Sequence, residues 1–493
     1  MTNKRQITEL DLIETEKDIL ERRTDQYFQV DFLKAAMIFL VIFDHIVSWG
    51  IKSEIGVSFW ERICIPVFLV LMGFNMGLSF KRHGAKTLKE LYSWRYFKSK
   101  ILRYIVPFLV LYAFSTIIGL IVYGFNVKDM WYGQYYPNHG FIQLFTGILP
   151  FWGPGNWFLP VIFQSILIMP LIYWAFAKRS YLTLVLCFVV EIAMQLIVFL
   201  FIGEITSWEE AHILGLFMTS ILFYLSAIGL GIWFSFNHDL FKFRNFYIWI
   251  LFLISLTYLI FYQFFGGRLR IGTIPLIRGD YNFLVFPYSA VLILISFIIL
   301  PKKSDGKISR AISLIGKSTY HILLTQMLGY GIIYATLRTH YLIDVGFTFL
   351  DALKLLYAWI IFIPFGILWY KIDQNRNLIR HLLYYVNFFI VLSIIVYYMF
   401  IAFNPLLFNW VPFTMIIILV YAGLGLIFSY ILKKPIKTIS LALWTSFLVY
   451  TFFVTILYIS VLPPTEYVIQ NISVSTFLII ATIGTVLDYS FSK

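Results

Sequence analysis

Long apolar runs separated by short polar segments make up the chain after its first 31 residues. Each run has about 20 mostly apolar residues, which is the length that a helix needs to cross the hydrocarbon core of a bilayer. The pattern predicts an all-α polytopic membrane protein with about fourteen transmembrane helices. Ten are predicted near residues 32–50, 62–80, 101–124, 156–176, 181–202, 213–236, 246–265, 282–300, 318–335 and 353–370. Four more are predicted near residues 383–403, 411–432, 441–461 and 473–489.

The composition agrees with a membrane protein and excludes the soluble classes. Of the 493 residues, 60% are hydrophobic and only 13% are charged, whereas soluble domains have about 25% charged residues. A chain this apolar is neither a soluble globule nor a disordered segment. In a soluble protein, the formal net charge of +13 would suggest a nucleic-acid partner. Here we expect the positive residues in cytoplasmic loops, and we predict no nucleic-acid partner.

The distribution of Lys and Arg predicts the orientation in the membrane. Residues 1–31 are polar and have no apolar core followed by a cleavage site, so they are predicted to be a cytosolic arm and not a signal peptide. With the N-terminus inside, the inside segments hold about 29 of the 38 Lys and Arg residues and the outside loops about 8, as the positive-inside rule requires. We therefore expect both termini to be cytoplasmic.

The first predicted helix carries polar residues that are unusual in a membrane. Asp31 and Lys34 lie at its beginning, and Asp44 and His45 lie deep inside it, where a charged side chain costs about 2.5–3.5 kcal/mol. Lys34 and His45 are eleven residues apart, which places them within about 20° of one helix face and about 16 Å apart along the axis. This face predicts a cation near the cytosol and an imidazole deeper in the membrane. In the alternative interpretation, Lys34 extends to the interface and His45 bonds to a neighbouring helix.

Other polar residues within predicted helices are weaker candidates. Glu191 in the fifth helix either orients His45 or is protonated and structural, and His321 and Gln326 in the ninth either act in the site or bridge helices. Cys64 and Cys187 lie in apolar runs and have neither a disulfide framework nor metal-ligand spacing. The sequence therefore predicts no metal site.

Several segments resemble motifs of the acyltransferase-3 family of integral membrane O-acyltransferases. They are Asp31-Phe-Leu-Lys34 with ten residues before His45, Ile65-Pro66-Val-Phe68 with Gly73-Phe74, Lys100-Ile-Leu-Arg103 with Pro107, Trp157-Phe158-Leu159, and Thr319-Tyr320-His-Ile322-Leu-Leu324. The chain departs from the family pattern at Lys34, where Arg is commoner, at Met72, where a small residue is usual, and at Gln326, where many members have His.

The resemblance covers about residues 27–373 and implies three parts of the chain. Residues 1–31 are the cytosolic arm, and residues 32–373 form a ten-span membrane domain like that of the family. Residues 374–493 form a four-span extension of unknown role. The resemblance also implies a location in the plasma membrane, with the lipid bilayer as surroundings.

The resemblance further implies an acyl-transfer reaction with acyl-coenzyme A, acetyl-coenzyme A in the first instance, as co-substrate and with no permanently bound cofactor. His45 would be the general base that takes a proton from the acceptor hydroxyl, a role that suits a side chain with an ordinary pKa of about 6.5. Asp44 or Glu191 would set its tautomer. The phosphates of coenzyme A would bind to Lys34, Lys100 and Arg103.

The acceptor implied by the resemblance is a carbohydrate or glycolipid of the cell envelope. Aromatic residues of the outer segment could stack on a sugar ring or form an interface belt, and arginines of the loop 266–281 could hold an anionic acceptor. The candidates are Tyr135, Trp152, Trp157, Arg268 and Arg270. Two other functions fit the same sequence: a transporter or flippase for a lipid-linked glycan, and a non-catalytic sensor of acyl-coenzyme A.

Overall fold

Apolar helices account for nearly all of the structure. The computed structural model describes residues 27–122 except 86, and then 155, 157–202, 217, 219–236, 246–267, 269–271, 274–276, 281–337, 343 and 349–374. In this part of the chain, the α-helices are α1 (Phe28–Ile46), α2 (Trp49–Glu54), α3 (Cys64–His83), α4 (Leu88–Leu91), α5 (Trp94–Lys100), α6 (Val106–Val122), α7 (Phe158–Lys178), α8 (Ser180–Ile202), α9 (Leu225–Phe236), α10 (Phe246–Phe265), α11 (Phe286–Ile299), α12 (Lys307–Leu337) and α13 (Phe349–Asp373).

Three short helical turns and one small ladder complete the described elements. Val57–Phe59 and Ile221–Tyr224 are 3₁₀ turns, and Ile101–Ile105 is a π-helical turn that joins α5 to α6. Strand β1 (Arg270–Ile271) pairs antiparallel with β2 (Ile274–Pro275), with Arg270 opposite Pro275. The described fold is therefore helical except for this two-residue ladder.

Each of the ten spans predicted between residues 32 and 370 coincides with one of these helices or helical runs. Within the described residues, six helical segments are by themselves long and apolar enough to cross a membrane, which makes the protein a multi-pass membrane protein. They are Val57–His83, Leu88–Leu120, Phe158–Lys178, Ser180–Leu200, Tyr247–Phe265 and Lys354–Asp373. Two further apolar helices, Ile221–Phe236 and Phe286–Ile299, are shorter. Most of the predicted arm 1–31 and the four C-terminal spans lie outside the described residues.

The helices differ in how much of their surface they bury. Most of the apolar window of Val57–His83 is inside the bundle, whereas most of that in Tyr247–Phe265 is outside. Large apolar side chains such as Leu200 on α8 and Phe264 on α10 are exposed, which is the arrangement expected of helices that face lipid. Helix α3 therefore lies at the centre of the bundle, and α8 and α10 lie at its periphery.

Glycines allow α3 and α9 to approach each other closely. Gly73 and Gly77 are spaced by four residues on α3, and Gly231 lies opposite on α9. A Cβ at Gly73 would collide with the main-chain oxygen of Ile228, and one at Gly231 with that of Val70. Small residues at such positions permit close packing of membrane helices. The Gly73 of the second predicted span is therefore a helix-packing residue.

Helix α12 runs beside α1 and supplies the second wall of the candidate site. Near the beginning of both helices, Gly316 lies against the main chain of Asp31. Near their other end, the hydroxyl of Tyr330 donates to the main-chain oxygen of Ile42 over 3.2 Å. Polar residues at matching heights on α1 and α12 therefore face one another.

Candidate active site

Four cationic side chains meet at the N-terminal end of α1. We call Lys34, Lys100, Arg103 and Lys317 the basic cluster. Lys34 interacts electrostatically with Arg103 and Lys317 and with the phenol of Tyr104, and Tyr104 also interacts with Lys100. Among the described residues, Asp31 is the anion of this cluster, and it interacts with Lys34, Lys317 and Arg103. The cluster therefore has an excess of positive charge and is suited to a polyanionic ligand.

A local change in helix type positions two members of the basic cluster. Lys100 ends α5, and Arg103 lies in the π-helical turn Ile101–Ile105. The Lys100 ammonium donates to the sulfur of Met76 over 2.9 Å, and the Arg103 guanidinium lies 5.4 Å from the ring centre of Tyr104. Such π turns are frequent at functional sites because they change the direction of neighbouring side chains. Tyr320 of α12 then fixes the turn by donating to the main-chain oxygen of Tyr104 over 2.8 Å.

His45 lies at the other end of the same face of α1. We call Asp44, His45, Lys52, Arg62 and Gln326 the histidine cluster. The Nδ1 atom of His45 is 3.4 Å from Nε2 of Gln326, and its Nε2 atom is 3.8 Å from Oδ2 of Asp44, which is too long for a hydrogen bond. The ring is also in edge-to-face contact with Tyr330. His45 is thus held in a largely buried site, with α12 on one side.

Asp44 is held by two cations. Lys52 donates to Oδ1 of Asp44 over 2.5 Å and to the Asp44 main-chain oxygen over 2.8 Å. The Arg62 guanidinium is 3.4 Å from the same Oδ1 atom and also pairs with Glu61 at 3.6 Å. Lys52 is only 1% exposed. The carboxylate of Asp44 therefore closes a buried ion-pair network and presents its second oxygen, Oδ2, to His45.

Two aromatic side chains, Tyr281 and Trp157, extend from the histidine cluster through Arg62. Arg62 donates to the Tyr281 hydroxyl over 3.0 Å, and the Tyr281 ring stacks on Trp157 with ring centres 6.2 Å apart. The segment before Trp157 reaches His45 itself: Gly155 has a φ of 90°, and a Cβ there would be 3.3 Å from Cε1 of His45. Because Gly tolerates a positive φ, the main chain can lie directly against the imidazole. The described contacts thus connect Trp157 to the histidine cluster through Tyr281 and Arg62.

The remaining predicted residues lie elsewhere or outside the described residues. Glu191 is fully buried on α8, where its Oε2 atom accepts from the main-chain N–H and the hydroxyl of Ser226. The described contacts of Glu191 do not include His45. Arg270 is exposed in β1, and its described contacts do not reach His45 either. Tyr135, Trp152 and Arg268 lie outside the described residues.

Four residues of the site were not among the sequence-based candidates: Lys52, Arg62, Tyr281 and Lys317. Lys317 carried a signal, since it lies two residues before the Thr319–Leu324 motif on the same helix. Lys52 lies between the first two predicted spans and Arg62 is the first residue of the second, and a positive charge at either place has no distinctive pattern. His321 bridges two helices, which was one of its two interpretations from the sequence. Its Nε2 atom is 2.6 Å from Oδ2 of Asp373 on α13.

Comparison with known protein families gives a match over most of the chain. A family model described as an acyltransferase domain matches residues 27–369, which include every described residue of the basic cluster and the histidine cluster. No curated protein and no solved structure matches the chain significantly.

Proposed function

Because the chain belongs to the acyltransferase-3 family, we propose that this membrane acyltransferase takes its acyl group from cytosolic acyl-coenzyme A, with acetyl-coenzyme A as the first donor to test. The acceptor is a hydroxyl of an envelope carbohydrate or glycolipid. One observation carries the proposal: Lys34, at one end of a face of α1, meets three cations of neighbouring segments, and a largely buried histidine lies at the other end of that face.

The basic cluster is the proposed site for the phosphates of the donor. Coenzyme A carries several phosphate oxygens, and ammonium and guanidinium groups form strong charge-assisted hydrogen bonds with them. Lys34, Lys100, Arg103 and Lys317 have Asp31 as their described counter-charge, so a polyanion would neutralise the excess. Because Lys34 and His45 are about 16 Å apart along α1, the thioester at the end of the extended pantetheine arm would approach His45. The donor is a co-substrate, and no permanently bound cofactor is proposed.

His45 is the proposed general base. It takes the proton of the acceptor hydroxyl while the hydroxyl oxygen attacks the thioester carbonyl carbon. The carbon–sulfur bond then breaks, an ester forms, and the coenzyme A thiolate takes the proton from the imidazolium. Asp44 stabilises that imidazolium through its Oδ2 atom, 3.8 Å from Nε2. A positioned base of this kind accelerates proton transfer by about 10²–10⁴-fold. An orienting role of Glu191 stays a prediction from sequence.

The proposed acceptor site begins at Trp157. Its ring stacks on Tyr281, which is joined through Arg62 to Asp44 beside His45. Stacking on an aromatic face suits a sugar ring. Tyr135, Trp152, Arg268 and Arg270 are proposed to extend this site on the basis of the sequence.

The proposed topology gives both substrates access. We place the protein in the plasma membrane, with about fourteen helices across the bilayer. Both termini lie in the cytoplasm. The cytosolic arm 1–31 precedes the ten-span domain 32–373, and the four-span extension 374–493 follows it. In this orientation the basic cluster faces the cytosol, where acyl-coenzyme A is present, and His45 lies towards the envelope side.

Transfer of a labelled acyl group tests the proposal directly. Purified protein in lipid receives acetyl-labelled coenzyme A and an envelope glycan extract, alongside His45→Ala. The matched control is His83→Ala, which removes an exposed histidine at the end of α3. We expect label in the glycan with the wild type and with His83→Ala, and none with His45→Ala.

The other results each have a distinct meaning. Transfer retained in His45→Ala would remove His45 from the mechanism. Binding of the donor without transfer from acetyl or succinyl donors would favour an acyl-coenzyme A sensor, and no binding at all would favour the transporter.

The donor site has its own test in Arg103→Ala. We expect this change mainly to raise the apparent KM for acyl-coenzyme A, because it removes a phosphate-binding cation about 16 Å from the base. A loss of kcat with unchanged donor affinity would count against the phosphate-binding role.

A further inference from the structure

The imidazole of His45 is held in the described structure by a side chain that the catalytic scheme above does not use. Gln326 of α12 is fully buried, and its amide is 3.4 Å from Nδ1 of His45. In the described part of the chain, the contact with Gln326 is the one side-chain hydrogen bond to the ring. The Asp44 carboxylate, at 3.8 Å, is beyond hydrogen-bonding distance. Whether the amide turns its oxygen or its NH₂ group towards Nδ1 therefore decides which ring nitrogen carries the proton.

We propose that Gln326 is the positioning residue of His45: its amide oxygen accepts from Nδ1–H and leaves Nε2 unprotonated as the atom that takes the acceptor proton. This inference rests on the proposed function for its chemical meaning. Its structural part, the tautomer of His45, holds without any substrate.

Chemistry at the ring favours the orientation with the oxygen towards Nδ1. The amide nitrogen and oxygen have nearly the same size, so a turn of 180° about the last side-chain bond preserves the packing. If the NH₂ group faces Nδ1, it occupies the lone pair of that atom, and Nε2 carries the proton; neither nitrogen is then available as a base. If the oxygen faces Nδ1, the lone pair lies on Nε2. The far end of the amide, Oε1 in the structure, is buried without a hydrogen-bond partner in the described part of the chain, so it imposes no orientation.

The groups around Nε2 stabilise the charged state of the ring and not this neutral tautomer, since a carboxylate near Nε2 by itself favours a proton on that atom. Oδ2 of Asp44 lies 3.8 Å from Nε2, while Oδ1 is occupied by Lys52 and Arg62. A hydroxyl that donates to Nε2 would lie beside this carboxylate. When Nε2 takes the proton, the imidazolium has Gln326 Oε1 at one N–H and the Asp44 carboxylate near the other. Tyr330 contributes a ring edge and no charge. Gln326 thus sets the tautomer, and Asp44 stabilises the charged state.

Nuclear magnetic resonance of the histidine nitrogens reads the tautomer without any reaction. The protein has eight histidines, and the His45→Gln variant assigns the His45 signals in protein reconstituted in lipid. We expect a protonated Nδ1 and an unprotonated Nε2 in the wild type. In Gln326→Met, which has similar size and no amide, we expect a mixture of the two tautomers. A wild-type His45 protonated at Nε2, or a tautomer unchanged in Gln326→Met, would overturn the proposal.

Acyl transfer separates a positioning role from a packing role. We expect Gln326→Met to lower kcat at least tenfold with little change in the KM for acyl-coenzyme A. Gln326→Glu keeps an acceptor oxygen for Nδ1–H and is expected to retain more activity than Gln326→Met. The matched control is Thr325→Val, which removes the neighbouring buried hydroxyl, bonded to a carbonyl of its own helix, and is expected to leave kcat unchanged.

The two proposals fail in different ways. No transfer by the wild type, with the expected tautomer in place, would refute the acyl transfer and leave the Gln326 contact intact. Transfer that depends on His45 but is equal in the wild type and Gln326→Met would refute the role of Gln326 alone.

Discussion

Replacing Asp44 with Asn should destabilise the protein, since this carboxylate neutralises two cations inside the bundle. Lys52 is 2.5 Å from Asp44 and Arg62 is 3.4 Å from it, and Lys52 is almost fully buried. In Asp44→Asn the amide cannot balance either charge. Lys52 then stays charged and almost fully buried without the Asp44 carboxylate, while Arg62 keeps its pairing with Glu61.

The size of the effect follows from these distances. With an effective dielectric constant of about 20, unit charges 2.5 Å apart attract by about 7 kcal/mol before desolvation is subtracted. Desolvation of both ions offsets part of this attraction, and removal of one partner from a buried pair costs about 3–5 kcal/mol. The side chain of Asp44 is 15% exposed, which places the expected loss towards the lower end of this range. His45→Ala removes no charge partner and should cost less.

Thermal unfolding in detergent measures this difference. Cys64 and Cys187 are free and buried, so a thiol-reactive fluorescent dye reports the exposure of the core. We expect a clearly lower apparent midpoint for Asp44→Asn than for His45→Ala. The double variant Asp44→Asn/Lys52→Met should recover part of the loss, because it removes the buried cation as well. A midpoint for Asp44→Asn equal to that of the wild type, together with lost acyl transfer, would refute the structural reasoning and assign Asp44 to the chemistry alone.

Three further changes test other parts of the fold and site. Lys317→Ala should raise the KM for acyl-coenzyme A about tenfold, equal to about 1.4 kcal/mol of binding, while the exposed Lys303→Ala should not; equal effects would exclude Lys317 from the donor site. Glu191→Leu should lower the unfolding free energy by about 1–3 kcal/mol, because Ser226 loses its acceptor; a lower kcat at an unchanged midpoint would instead support the role at His45. Gly73→Leu should separate α3 from α9 and lower stability by about 1–3 kcal/mol, whereas Gly306→Ala should leave the melting midpoint unchanged.

The helices were predictable from sequence, because each membrane-spanning helix satisfies its own backbone hydrogen bonds and is read from one continuous apolar run. The same reasoning gave the shared face of Lys34 and His45, since both lie on one helix with a fixed rise and rotation. The partners of that face were not predictable in this way. Gln326 lies 281 residues from His45, and the register between α1 and α12 depends on tertiary packing such as that of Gly316 against Asp31 and of Tyr330 against Ile42.

The role of Asp44 shows a second limit of sequence reasoning. Its adjacency to His45 suggested an orienting carboxylate, but neighbouring residues on a helix point about 100° apart. The structure directs one oxygen of Asp44 to Lys52 and Arg62, both beyond the end of α1. Lys52 lies on the six-residue helix α2 and Arg62 lies just before α3, and no periodic pattern in these short segments indicates which buried anion the two cations will meet.

The two clusters differ in charge, and the difference matches the proposed reaction. In the histidine cluster, Asp44 and the neighbouring Glu61 balance Lys52 and Arg62, so the buried ions there need no ligand. In the basic cluster, four cations share Asp31 as their described anion, and a polyanion is needed to complete it. When His45 takes up a proton, it adds a positive charge that these ion pairs do not balance. In the proposed reaction this charge lasts only until the departing thiolate removes the proton. A site that binds a polyanionic co-substrate at one end and carries a positive charge only transiently at the other is suited to transferring a group from a charged donor to a neutral hydroxyl.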